Sequence, residues 1–66
     1  MSKEKLEGRE IIIEYRPVGN IIKVIAMDVE SLTEISIQGP AVAGDVLLER
    51  NALKRLEYVM KKKGLI

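Results

Sequence analysis

Hydrophobic side chains follow two different periods along this chain, and the change between them sets the order of its secondary structure. Apolar and polar residues alternate in three segments between residues 9 and 38, which is typical of strands with one buried face. From residue 45 to residue 63 the apolar residues instead recur every three or four positions, as on a helix. We therefore predict an α+β fold: a three-stranded antiparallel β-meander with one C-terminal α-helix packed on one face, in the order β-β-β-α.

The first hairpin is predicted from the turn-forming residues Pro-Val-Gly-Asn at positions 17–20. A four-residue loop at these positions pairs Arg16 with Ile21. The same register sets Ile12 opposite Ile25 on one face of the sheet.

The second hairpin is predicted at positions 29–32, where a four-residue loop pairs Asp28 with Thr33. The last loop residue, Leu32, is then expected in the left-handed region of the backbone. That conformation costs a residue with a Cβ on the order of 1 kcal/mol relative to glycine.

The helix carries signals at both of its ends. Asp45 is expected to accept hydrogen bonds from the free N–H groups of the first turn. Gly64 is expected to end the helix in a Schellman cap, with Leu65 folding back toward Met60.

A chain of 66 residues has room for one domain with a thin core. Half of residues 1–8 are charged, and Leu6 is the only leucine among them, so we expect a disordered N-terminal tail. Residues 9–66 are expected to form the single β-β-β-α domain.

Neither cysteine nor histidine occurs in the sequence, which removes the usual zinc ligands and thiol nucleophiles. We predict no cofactor and no metal site. No apolar run reaches the roughly 20 residues that cross a bilayer, so we expect no membrane association and a cytoplasmic location.

Glu10 and Glu14 share the outer side of the first strand, and paired carboxylates can act as general acid and base. Solvated strand charges are far commoner, and Glu14 is better explained by a cross-strand pair with Lys23. We therefore predict no catalytic residue and a protein that is not an enzyme.

The favoured hypothesis is a protein-interaction module. Four apolar residues fall on the sheet face away from the helix, and a fifth lies off the buried stripe of the helix; they are Ile12, Ile21, Ile25, Met27 and Leu47. A contiguous apolar patch on a small domain commonly marks an interface. The expected partner is another protein or a second copy of the chain, in a homodimer.

The alternative hypothesis is RNA or DNA binding by basic residues of the helix, namely Lys54, Arg55, Lys61, Lys62 and Lys63. The formal net charge of +1 is far from that of a dedicated nucleic-acid binder, and the helix begins with an acidic residue, Asp45. Nucleic acid is therefore the less favoured partner.

A set of short segments is shared with a known family; they are residues 17–20, 23–24, 28, 34–36, 39–40 and 52–56. Through them the chain resembles a family of small uncharacterised alphaproteobacterial proteins, a domain of unknown function. Members of that family tend to have glycine where Leu32 stands. The resemblance implies a bacterial cytoplasmic origin and brings no known activity or site.

Overall fold

The computed structural model of the chain describes residues 6–66, so most of the predicted tail at residues 1–8 falls outside the described residues. The elements are β1 (Ile11–Val18), β2 (Ile21–Asp28), β3 (Thr33–Pro40), a 3₁₀ turn (Ala41–Ala43) and helix α1 (Asp45–Lys62). The strands form one antiparallel sheet in the order β1-β2-β3, and α1 contacts β2 and β3. The predicted β-β-β-α architecture is confirmed.

The core lies between α1 and the sheet face that we call the inner face. Val24 and Ala26 of the central strand point to this face and are fully buried. The helix residues that are buried recur every three or four positions; they are Leu48, Ala52, Leu53, Leu56 and Met60. Burying a side chain of the size of leucine contributes roughly 1.5–3 kcal/mol, so this stripe supplies most of the contact between helix and sheet.

Leu6 differs from the expectation of a disordered tail, because its side chain is only 5% exposed. It belongs to the hydrophobic core, against which Ile11 and Ile13 of β1 pack. The Arg9 N–H donates a hydrogen bond to the Leu6 carbonyl at 3.1 Å, which closes a turn before β1. A single leucine among charged residues has no period, so the sequence pattern could not indicate its burial.

The first hairpin turns more tightly than predicted. β1 continues to Val18, which pairs with Ile21 across a two-residue turn of Gly19 and Asn20. Gly19 has φ of 60°, and a type II′ turn requires such a left-handed residue at its first central position. The predicted loop, with Arg16 opposite Ile21, is therefore wrong by two residues. Because strand side chains alternate with a period of two, each residue still lies on its predicted face.

Pro17 is tolerated inside β1 because β1 is an edge strand. The Val29 N–H donates to the Glu10 carbonyl at 3.0 Å, so the even-numbered residues of β1 form the hydrogen-bonded pairs with β2. Pro17 stands at an odd-numbered position, where its nitrogen faces the open edge. No hydrogen bond of the sheet is lost there, and the missing donor limits pairing with another strand.

The second hairpin has the predicted register, with Asp28 opposite Thr33. The Leu32 N–H donates to the Asp28 carbonyl at 2.8 Å, which closes the four-residue loop. Leu32 adopts φ of 60°, so the last residue of this loop is left-handed although it carries a Cβ. Its side chain is 72% exposed, and little packing offsets the backbone cost.

The C-terminus of α1 is confirmed as a Schellman cap. Gly64 has φ of 76°, and the Leu65 N–H donates to the Met60 carbonyl at 2.9 Å. The N-terminus differs from the prediction, since Gly44 occupies the cap position and Asp45 is the first helical residue. Asp45 contributes its charge to the first turn, where the helix dipole favours anions, and does not cap the helix.

Gly39 permits the close approach of α1 to β3. A Cβ built on Gly39 would lie well inside contact distance of the Leu48 Cδ2 atom. Leu48 is itself buried, so its side chain has little room to move away. The absence of a side chain at Gly39 therefore sets how near the first turns of the helix lie to the sheet.

We expect Gly39→Ala to lower the free energy of unfolding by about 1–3 kcal/mol, because the added methyl group overpacks the contact with Leu48. In a Leu48→Ala background the same substitution should cost much less, since the cavity accepts the methyl group. Chemical denaturation of the four variants of this cycle measures the coupling. An equal cost in both backgrounds would contradict the proposed collision.

Replacing Leu32 by glycine should raise the free energy of unfolding by up to about 1 kcal/mol, because the left-handed backbone is then unstrained. Leu32→Ala is the matched control, since it removes the exposed side chain but retains the Cβ. Thermal unfolding should give a higher midpoint for the glycine variant only. A gain of equal size with alanine would show that the side chain, rather than the backbone, is the source of the strain.

Candidate functional site

The sheet face away from α1, which we call the outer face, carries a first group of apolar side chains. Ile12 of β1 pairs directly with Met27 of β2, and Ile25 pairs with Glu14. The predicted pairing of Ile12 with Ile25 is wrong because of the shift in the first hairpin. Ile12, Ile25 and Met27 are nevertheless neighbours, and Ile12 is 49% exposed.

A second apolar group crosses the other end of the outer face. Val18, Ile21 and Pro40 are paired across the three strands in one row. A polar row of Arg16, Lys23 and Gln38 separates this row from the first group. Ile21 therefore does not join Ile12, Ile25 and Met27 in one continuous patch, and the outer face has an apolar group at each end.

Leu47 lies apart from both groups. It is in the first turns of α1, and α1 packs on the inner face of the sheet. Its side chain is 45% exposed. The structure therefore does not bring Leu47 together with the outer-face residues named with it from the sequence.

The charged residues of the outer face have both signs. Arg16 donates a hydrogen bond from Nε to the Glu14 carboxylate at 2.9 Å, along the same strand. The predicted partner of Glu14, Lys23, pairs with Arg16 in the register instead. Glu10 and Glu14 are both exposed to solvent.

The helix residues predicted for nucleic-acid contact are all exposed; they are Lys54, Arg55, Lys61, Lys62 and Lys63. Tyr58 lies among them, with the Arg55 guanidinium 5.5 Å and the Lys62 ammonium 5.6 Å from the centre of its ring. We call Lys54, Arg55, Tyr58, Lys61 and Lys62 the basic helix face. Sequence reasoning missed Tyr58, although its spacing of three and four residues from Arg55 and Lys62 indicates contact on a helix.

A buried carboxylate at the end of β2 is the least expected feature of the structure. Asp28 is 0% exposed, and its Oδ2 atom accepts hydrogen bonds from Arg9 at 2.9 Å, from the Ser31 N–H at 2.9 Å and from the Ser31 hydroxyl at 2.6 Å. The Ser31 hydroxyl donates its single proton to Asp28. The Thr33 hydroxyl therefore donates to the Ser31 hydroxyl oxygen, at 2.8 Å. Asp28 Oδ1 is buried with no hydrogen-bond partner among residues 6–66.

The surroundings of Asp28 keep it ionised. Burial raises the pKa of Asp28, but the hydrogen bonds from Ser31 and the positive charge of Arg9 lower it by more, so its pKa lies below the ordinary value. Arg9 also donates to the Leu65 carbonyl at 3.3 Å and thereby connects the hairpin to the end of the chain. The site is a structural tie, and its signal in the sequence was an aspartate followed three residues later by serine.

Tyr15 forms a second polar tie, between β1 and α1. Its hydroxyl donates to the Glu49 carboxylate at 2.9 Å. Burial, together with the hydrogen bond and the negative charges of Glu49 and Asp45, raises the pKa of Tyr15. The contact holds the carboxylate of Glu49 on the sheet side of the helix, away from the basic helix face.

Two absences apply to residues 6–66. No group of three or more acidic, histidine or cysteine side chains in this part of the chain is placed to hold a metal ion. Within the same residues, no helix has the length and apolar character needed to span a membrane.

The fold and its surfaces define a small α+β domain made of one β-meander and one helix. Residues 8–63 match the family model described as Domain of unknown function (DUF6898). The chain belongs to this family, and the predicted membership in a family of unknown function is confirmed. Neither the curated proteins nor the solved structures include a significant match to the chain.

Asp28→Asn should lower the free energy of unfolding at neutral pH by about 1–3 kcal/mol, because Arg9 and Ser31 lose a charged acceptor. The native pKa lies below that of the unfolded chain, so the carboxylate stabilises the fold above about pH 4 and ceases to do so as the pH falls toward its native pKa. Denaturant unfolding across the acid range should therefore show a smaller loss of stability for Asp28→Asn than for wild type. Glu34→Gln, at an exposed position, is the control and should retain the wild-type acid dependence. Identical acid profiles for Asp28→Asn and wild type would contradict this role.

Proposed function

We propose that this protein is a small non-enzymatic interaction module that self-associates through the outer face of its sheet as a homodimer. The observation that supports the proposal is the order of the rows on that face. Apolar groups lie at both ends of the face, and between them Glu14 lies next to the row that contains Arg16 and Lys23. The outer face of one copy is therefore complementary to the same face of a second copy.

A twofold axis lying across the strands, between the row of Glu14 and the row of Arg16, would superpose each half of the face on the other half. It would place Glu14 of one copy over Arg16 of the second copy. It would also place Met27 over Ile21, and Ile12 over Val18, so that the apolar groups cover each other. An isologous contact of this kind needs only one surface patch, as most homodimers do.

The mixed signs of the outer face favour a second copy over a strongly charged partner. The exposed acidic residues Glu10, Glu14 and Glu34 stand against Arg16 and Lys23. The long stem of Lys23 can cover Ile25 of the other copy while its ammonium group stays in water. In this twofold arrangement, charges of opposite sign face each other. Other orientations of the two copies would bring charges of the same sign together.

The size of the face sets the expected strength of the dimer. Three strands of eight residues make a surface about 26 Å long and about 14 Å wide, or a flat footprint of about 360 Å² on each copy. This area is below that of the standard stable interface, which buries about 800 Å² on each partner. We therefore expect a weak dimer that dissociates at roughly micromolar concentrations.

The proposed setting is the bacterial cytoplasm, and its support is the resemblance carried by residues 17–20, 39–40 and 52–56. A non-enzymatic role is supported by the exposure of Glu10 and Glu14, the two carboxylates first considered for catalysis.

Sedimentation velocity at several concentrations should show a monomer–dimer equilibrium for the wild type. Ile12→Lys should shift it to monomer, because the substitution puts a charge into an apolar contact without disturbing a buried residue. Leu47→Lys is the matched control, since Leu47 is exposed to a similar degree on the opposite side of the molecule. A wild type that stays monomeric at every concentration would overturn the proposal, and so would dissociation by Leu47→Lys alone.

A charge reversal tests the twofold arrangement itself. Glu14→Arg should weaken the dimer because two arginines would then face each other. The double variant Glu14→Arg/Arg16→Glu should recover association, since the exchanged charges again face each other across the axis. Failure of the double variant to recover association would exclude this orientation of the two copies.

A further inference from the structure

We propose that the basic helix face binds single-stranded nucleic acid. This inference is independent of the self-association proposed above, because α1 and the outer face lie on opposite sides of the sheet. The basic residues predicted from the sequence supply the phosphate contacts. Tyr58, which the sequence reasoning missed, supplies a flat surface for a base.

The helix segment carries a net positive charge, and the rest of the chain carries a net negative charge. The segment from Asp45 to Lys63 has six basic and three acidic residues, a net charge of +3, whereas residues 1–44 have five basic and seven acidic residues, a net charge of −2. The overall value of +1 hides this separation. A polyanion would therefore meet α1 rather than the sheet.

The cations of the basic helix face are available to a ligand. The ion pairs within residues 6–66 involve Arg9 and Arg16, and none uses a lysine or arginine of α1. Glu49 is hydrogen-bonded to Tyr15 on the sheet side, and Glu57 is half-buried at the flank of the face. Within residues 6–66, no carboxylate thus competes with a phosphate at the centre of the face.

Tyr58 gives the face a character that a simple charged helix lacks. Its side chain is 51% exposed, and Arg55 and Lys62 lie over the ring in cation–π contacts. A base can stack on the guanidinium plane of Arg55, or on the tyrosine ring after displacing one of the two cations, while the lysines bind the backbone phosphates.

This combination favours a single strand over a duplex. Stacking on an exposed side chain requires a base that is not already stacked and paired. The distance along the helix from Lys54 to Lys62 is about 12 Å, which suits a few consecutive nucleotides. A contact of this size would be weak and insensitive to sequence.

The test is fluorescence anisotropy of labelled oligo(dT) and oligo(rU) at low salt, with protein at a concentration where sedimentation shows monomer. Four phosphate contacts predict that the logarithm of the association constant falls with the logarithm of the salt concentration with a slope of about −3.

Tyr58→Leu should weaken binding roughly tenfold, whereas Tyr58→Phe, which retains the ring, should bind like wild type. In a Tyr15→Phe background, stacking should quench the fluorescence of Tyr58, which is then the sole tyrosine.

Removing two positive charges from either surface distinguishes an effect of the basic helix face from an effect of the net charge of the protein. Lys54→Gln/Lys61→Gln should weaken binding several-fold more than Arg16→Gln/Lys23→Gln, which removes the same charge from the outer face. Equal losses from the two pairs would overturn the assignment. So would the absence of binding at low salt, equal binding of Tyr58→Leu and wild type, or tighter binding to the matching duplex than to the single strand. None of these outcomes depends on whether the protein forms a dimer.

Discussion

One helix cannot cover three strands, and much of this fold follows from that constraint. An α-helix with its side chains is about 10 Å across, whereas three strands spaced by about 4.8 Å form a wider surface. Helix α1 packs on β2 and β3 and reaches β1 through the hydrogen bond from Tyr15 to Glu49, so the rest of the inner face of β1 needs another cover. Leu6 and Ile66, from the two ends of the chain, join the core against which Ile11 and Ile13 pack. The segments before β1 and after α1 thus contribute to the core, which is thin in a domain of this size.

The polar tie at Asp28 belongs to the same arrangement. Arg9, three residues after Leu6, places its guanidinium against the Asp28 carboxylate and the Leu65 carbonyl, so it joins the segment before β1 to the second hairpin and to the segment after α1. Burying a charge is costly, and a buried pair adds little net stability compared with an apolar contact. Removing one partner is much worse, because the other charge then lies buried alone. The tie therefore acts by making other positions of Arg9 and Leu65 relative to the second hairpin unfavourable.

Features that alter the periodicity of the side chains could be predicted from the sequence. Features that leave this periodicity unchanged could not. The two periods specified the order of elements, and the single glycine at Gly64 specified the helix end. The second hairpin was correct because its loop length fixes its register. The first hairpin was wrong by two residues, and a shift of two leaves every side chain on the same face, so alternation could not detect it. Asp28 was missed because an acidic residue at the end of a strand is usually at the surface, and only the Arg9 and Ser31 contacts show otherwise.

The two proposed surfaces differ in the kind of partner that their charges allow, and the fold lets both be used at once. The outer face has both signs and suits a copy of itself, whereas the basic helix face has one sign and suits a polyanion. A dimer formed by the sheets would be layered as helix, sheet, sheet and helix, with the two helices about 30 Å apart on opposite sides. A long single strand could then reach both basic helix faces, and the second contact would form at a high effective concentration. Two surfaces that are each too small for strong binding would in this way strengthen each other, without any contact between them.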